Sequence, residues 1–198
     1  SLKNWALLGL WLGLAGLSKY TSVLYIISLI FIFVLKDKIR ELFKISLWVG
    51  VLIALALISP VLYWNIKNHW ISFQYQADHV LTLDSSVVKN LSASLAIQML
   101  SWGIGPFMFA LMAFFIMLKN FRNEKKYAVT LVFSAVFLMF FAYVAVSEVL
   151  LPHWMLIFFI LMIPIAYSYF LQSTQYRRFG KTLIVGTVIS ALLSFSLL

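Results

Sequence analysis

Residues 20–35, YTSVLYIISLIFIFVL, run for sixteen residues without a charge. A soluble helix keeps a polar stripe for water, and this run has none. About 20 apolar residues in a helix cross the roughly 30 Å hydrocarbon core of a bilayer. Only 11% of the chain is charged, against about a quarter in soluble domains. Inside a bilayer the backbone satisfies its own hydrogen bonds, and an uncharged run of this length does so as a helix. The expectation is an all-α integral membrane protein, a polytopic helix bundle of about seven transmembrane spans in one transmembrane domain over 1–198. The apolar segments lie at about 4–18, 20–35, 45–63, 97–118, 127–146, 154–171 and 182–198. Only Lys19 separates the first two, which predicts a tight hairpin or one bent unit.

The net charge of +9 does not point to nucleic acid, because the basic residues stand in short clusters between apolar segments. Lys3, the group Lys36, Lys38, Arg40 and Lys44, the group Lys119, Arg122, Lys125 and Lys126, and the group Arg177, Arg178 and Lys181 account for 12 of the 15. The alternate links hold only Lys19, Lys67 and Lys89. The positive-inside rule then puts the first set in the cytoplasm and the second outside. There is no cysteine, which excludes disulfides and cysteine-ligated metals. P-loop, Rossmann and zinc-protease patterns are absent. The sequence opens on Ser1 and ends inside the apolar run ISALLSFSLL, so it reads as part of a longer protein.

The one long link, about 64–96, falls on the outer side. Long links often carry function. Its second half, SSVVKNLSASLAIQML, sets Val87, Val88, Leu91 and Leu95 near one helical face, as in a short helix on the membrane surface. Asp84 before Ser85 and Ser86 suits a helix N-cap. Gly103, Gly105 and Pro106 mark a bend in the next span.

Polar chemistry gathers at three places on this outer side. Lys19 and Tyr20 stand at the first turn. Trp64, Asn65, His69, Trp70, Gln76, Asp78 and His79 lie in SPVLYWNIKNHWISFQYQADH, residues 59–79. Glu148, His153 and Trp154 lie in SEVLLPHW. A lysine or histidine at this depth attracts a phosphate more strongly than in water. Tryptophan and tyrosine offer flat faces with one polar edge. Asparagine and glutamine fix hydroxyls with paired donors and acceptors. Aspartate, glutamate and histidine serve as general bases. Each also has a plainer role. Lys19 suits a snorkelling lysine, the tryptophans suit interfacial anchors, and Gln98 suits a bond to a neighbouring helix.

The segments GLAGLSKYTSVLY, SPVLYWNIKNHWISFQYQADH and LLPHW resemble, in order and spacing, bacterial membrane glycosyltransferases of the dolichyl-phosphate-mannose–protein mannosyltransferase-like superfamily, which includes the lipid A aminoarabinose transferases. The resemblance implies a GT-C fold in the bacterial inner membrane, with the active face outside the cytoplasm. It implies inverting transfer from a polyprenyl-phosphate-sugar donor to a glycan, lipid or protein acceptor, among membrane lipids and without nucleic acid. A divalent metal is compatible with it. Lys19 and Tyr20 match its Lys-Tyr, and Trp64, Asn65, His69, Trp70, Ser72, Phe73, Gln76 and His79 match its middle motif. His153 and Trp154 match its later His-Trp. Many relatives carry arginine where this chain has Val80, which puts one phosphate contact in doubt. The family's acidic base lies in a first outer loop, expected upstream of Ser1, so no residue here takes that role. Two rivals remain from the residues themselves: a transporter or flippase of a lipid-linked saccharide, and a non-catalytic membrane scaffold.

Overall fold

A computed structural model describes residues 1–81, 86–121 and 127–172, with residues 178, 181, 182, 185, 186, 188 and 189. Eight α-helices lie among the described residues: α1 Leu2–Ser18, α2 Val23–Leu35, α3 Ile45–Lys67, α4 Ile71–Leu81, α5 Val87–Trp102, α6 Ile104–Lys119, α7 Ala128–Ser147 and α8 Leu156–Gln172. Tight 3-10 turns at Tyr20–Ser22 and Pro152–Met155 lead into α2 and α8. The all-α membrane class therefore holds. Ile45–Lys67, Ala128–Ser147 and Pro152–Phe170 are long and apolar enough to cross a membrane, and α5 with α6 adds a fourth if a bent pair counts as one span.

The seven-span count rests on the sequence alone. Segments 4–18 and 20–35 fold as helices of 17 and 13 residues, short of the usual crossing length. Segment 182–198 lies outside the described residues except at 182, 185, 186, 188 and 189. Segment 97–118 is not one continuous rod. Gly103 breaks it with φ 78, a left-handed value that glycine adopts without a Cβ clash. The helices on either side meet at 110°. Gly105 and Pro106 fall inside α6 instead. Pro106 is its third residue, where a backbone N–H has no partner in the helix to lose. Described residues between 64 and 96 are mostly helical, and Asp84 lies outside the described residues.

The chain divides into two compact units, Ser1–Asp78 and His79–Leu198. In the first, α1 and α3 run parallel with their backbones in contact. Gly9 faces Gly50, Gly13 faces Ala54 and Leu57, and Gly16 faces Ile58. Small residues at this spacing let two helices approach where lipid gives no hydrophobic drive to associate. Helix α2 returns antiparallel, with Phe33 stacked on Trp5 at 5.8 Å. Pro60 lies inside α3 and cannot donate to the Ala56 carbonyl, but the Ser59 hydroxyl does so at 2.8 Å.

The second unit has a phenylalanine core. Phe107, Phe109 and Phe114 of α6 meet Phe137 and Phe141 of α7 and Phe158, Phe159 and Phe170 of α8, all buried. Phe109 and Phe170 stand 5.5 Å apart between ring centroids, and Phe114 and Phe158 stand 5.8 Å apart. Ala110 and Ala113, fully buried on α6, leave room for these rings.

Candidate functional site

Helices α1, α2 and α3 of the first unit leave a cavity of about 390 Å³. Its walls are Leu8 and Leu12 of α1, Ile26 and Ile30 of α2, and Val51 and Leu55 of α3, with the Trp5–Phe33 stack among its lining. The glycine seam holds α1 against α3, while α2 leans away, and the space lies between them. Tyr20 and Phe73 also line it, with centroids 4.8 Å apart. Trp70 meets Phe73 at 5.5 Å. The first turn and α4 are thereby joined by three aromatic rings.

Tyr20 lines two further spaces. One, of about 220 Å³, is bounded by Gly16, Leu17, Ser18, Lys19, Tyr20, Thr21 and Val61. The other, of about 380 Å³, is bounded by Tyr20, Ile71, Ser72 and Tyr75. The apolar cavity therefore adjoins a smaller space with polar groups at Ser18, Lys19 and Thr21, and the two share Gly16, Tyr20 and Val61. Lys19 sits in the smaller one, in extended backbone between α1 and the next turn. Its side chain is exposed, and partial desolvation by the neighbouring turn lowers its pKa from the ordinary lysine value. An anion bound there would offset that cost.

Residues of the middle motif divide into two kinds. Asn65 is buried, and its amide donates to the Val61 carbonyl at 2.9 Å. Its backbone carbonyl accepts from the Trp70 N–H at 2.8 Å. It organises the turn from α3 to α4. His69 and Trp70 in that turn both have positive φ, 52 and 59. Two successive non-glycine residues in this region cost roughly 1–2 kcal/mol each, a strain the surrounding contacts must hold. Trp64 and Trp70 expose about half their surface, as anchors or ring platforms do. Lys67 stands over the Tyr63 ring at 4.6 Å from its centroid, a cation–π contact. Asp78 is exposed on α4. Gln76 and His79 lie on α4 by backbone, and their side chains lie outside the described residues.

Glu148, His153 and Trp154 belong to the second unit, in the break between α7 and α8. Glu148 caps α7 in extended backbone, its N–H donating to the Val144 carbonyl at 2.9 Å. His153 is exposed in the turn at Pro152–Met155, and the Trp154 ring leans on Phe141 at 6.2 Å. Helix α5 supports this break through a polar stripe. Asn90 donates to the Ser147 carbonyl at 3.0 Å, and Gln98 donates to the Leu151 carbonyl at 3.0 Å. The Ser94 hydroxyl accepts the Leu150 N–H at 2.9 Å. Gln98 thus bonds an unwound segment rather than a neighbouring helix. Its companions at four-residue spacing were readable as a stripe, but their target was not.

Among the described residues no three of His, Cys, Asp and Glu converge as metal ligands. No metal step is derived.

Residues 1–64 match the profile of the family described as dolichyl-phosphate-mannose-protein mannosyltransferase. The match covers about a third of the chain. It takes in α1, α2, most of α3, Lys19, Tyr20 and Trp64. It supports the family-level resemblance and, in general terms, a membrane glycosyltransferase. No curated protein and no solved structure matches the chain.

Proposed function

We propose that this chain, with a mannosyltransferase-family match over its N-terminal third, is the lipid-donor part of a GT-C-type glycosyltransferase. It works at the outer face of the bacterial inner membrane on a polyprenyl-phosphate sugar. One observation carries the reading: the apolar cavity among α1, α2 and α3 and the Lys19 pocket share Tyr20. A prenyl chain needs a dry wall, and its phosphate needs a cation at the end of that wall.

In this reading the chain lies along Leu12, Ile26 and Leu55, and Lys19 holds the phosphate. Tyr20 packs at the junction between lipid and head group. The bond from the anomeric carbon to the phosphate oxygen breaks as the acceptor oxygen or nitrogen attacks from the opposite face. The acceptor's proton passes to a general base, and polyprenyl phosphate leaves. Charge builds on that phosphate in the transition state, where a fixed, partly desolvated ammonium helps most. The acceptor is a glycan, a lipid or a protein.

Reconstituting the full-length protein in liposomes with radiolabelled polyprenyl-phosphate sugars tests this. Label should pass to an acceptor fraction, and polyprenyl phosphate should accumulate in equal amount. Absence of transfer with every donor, together with unchanged envelope glycans in a deletion strain, would defeat the reading. The 110° break at Gly103 favours a second one, since transporters use discontinuous helices around their substrates. Movement of intact donor across the vesicle wall without a covalent product would select it.

A further inference from the structure

We propose that Asn90, Ser94, Gln98 and Trp102 form a positioning array that fixes Glu148 and His153. Their significance for sugar transfer rests on the glycosyltransferase reading; the array itself does not. The four residues repeat every fourth position along α5. Asn90, Ser94 and Gln98 are almost fully buried. What they hold is the segment between α7 and α8, which has extended backbone at Glu148 and Leu151 before the 3-10 turn Pro152–Met155. Such a segment near membrane depth must have its backbone groups met by protein.

The bonds follow one register. Asn90 Nδ2 reaches the Val146 and Ser147 carbonyls at 3.4 and 3.0 Å. Ser94 Oγ takes the Leu150 N–H at 2.9 Å. Gln98 Nε2 gives to the Leu151 carbonyl at 3.0 Å. Trp102 Nε1 gives to the Pro152 carbonyl and to Gln98 Oε1, both at 3.2 Å. Both chains advance in the same direction. Twelve residues of helix rise about 18 Å. The five steps from Ser147 to Pro152 span about 17 Å if extended. The lengths agree, so each turn of α5 meets the next available backbone group. The stretch between α7 and the following 3-10 turn thereby takes its position from a helix. Glu148 leaves one end of it and His153 the other. The outward side of α5 carries Val88 and Leu100, about four-fifths exposed, and Leu95, half exposed, beside exposed Lys89, Ser92 and Ser101. The buried polar residues Asn90, Ser94 and Gln98 face this segment instead.

The sequence has no cysteine, so a single nitroxide label reports cleanly. The label goes at Leu151→Cys, whose side chain is half exposed, and separately at Met139→Cys on α7 as a reference. Gln98→Met keeps length and removes both bonds, Asn90→Leu removes its donor, and Ser94→Ala removes its acceptor. Each should loosen the spectrum at 151 and leave 139 unchanged, while Ser94→Thr should restore it. In the transferase assay, Gln98→Met should lower kcat by about 100-fold, the scale of a small misplacement of reacting groups, with donor KM unchanged. Unchanged spectra at 151 in helical, folded variants would overturn the array. Equal loosening at 139 would also overturn it, as general destabilisation. A parent protein inactive on every donor would defeat the glycosyltransferase reading, and the spectra would still decide the array.

Discussion

Gly9→Ala is expected to destabilise the first unit sharply, and Gly50→Ala to do the same. A Cβ built on Gly9 lies 2.1 Å from the Gly50 carbonyl oxygen and 2.6 Å from its Cα. One built on Gly50 lies 2.5 Å from the Trp5 carbonyl oxygen. These are backbone atoms of the opposing helix, so neither can swing aside. The helices must separate, and the contacts along the whole seam weaken with them. Overpacking of this kind costs about 1–3 kcal/mol and sometimes more. A loss of 3 kcal/mol lowers Tm by roughly 6–12 °C in a chain of this size. Gly16→Ala is the comparison. Its added Cβ meets Ile58 Cγ2 at 2.7 Å, a side-chain methyl rather than helix backbone, so relief needs a shift of one side chain and not of the whole seam. Thermal unfolding in detergent should rank Gly9 and Gly50 well above Gly16. Equal midpoints for all three would show that the seam does not set the packing of α1 on α3.

The glycines show what a sequence can and cannot disclose in a membrane chain. GLWLG carries the small-residue spacing openly, at Gly9 and Gly13. Its partner Gly50 stands alone in an apolar run, and only the structure pairs them. The helical class was legible from uncharged runs, because a bilayer admits little else. Helix lengths were less so. Segment 20–35 is as apolar as α3, yet a turn at Tyr20–Ser22 shortens its helix. The bend near 103–106 was legible from its residues, and the left-handed backbone selects Gly103 among them.

Helix α5 was harder still. Val87, Val88, Leu91 and Leu95 suggest a face laid on the membrane surface, and Gln98 suggests a bond to a neighbouring helix. The partner of Gln98 is instead an unwound segment. Apolar Val88 and Leu95 are exposed, and the polar face turns inward, where carbonyls without partners are found. At the candidate site, Lys19 and Tyr20 stood out because they interrupt two apolar runs. The stretch 64–79 stood out by its polarity, but polarity alone did not separate roles. Asn65 serves its own helix and turn, whereas Ser72 and Phe73 reach the spaces around Tyr20.

Lys19→Ala is the second large effect, expected to weaken binding of polyprenyl phosphate about 10–100-fold, the value of one charge-assisted contact of 1.5–3 kcal/mol. Lys19→Arg should retain much of the affinity, because the charge stays although its shape changes. Lys67→Ala supplies the control, since that ammonium stands over the Tyr63 ring and lines none of the three spaces that share Tyr20. Salt separates two accounts of any loss. Attraction by an exposed lysine is screened over about 8 Å at physiological ionic strength, so the difference between parent and variant would shrink at high salt. Lys19 is exposed in the turn beside Tyr20, and partial desolvation lowers its pKa. The difference should therefore shrink as salt rises, and a difference that persists would place the loss in packing rather than in charge. Titration in nanodiscs against polyprenyl phosphate and against inorganic phosphate completes the test. The lipid form should bind far more tightly, because only it fills the apolar cavity. Equal affinity for both phosphates would separate the Lys19 pocket from the cavity and remove the basis for a lipid-linked donor at this site.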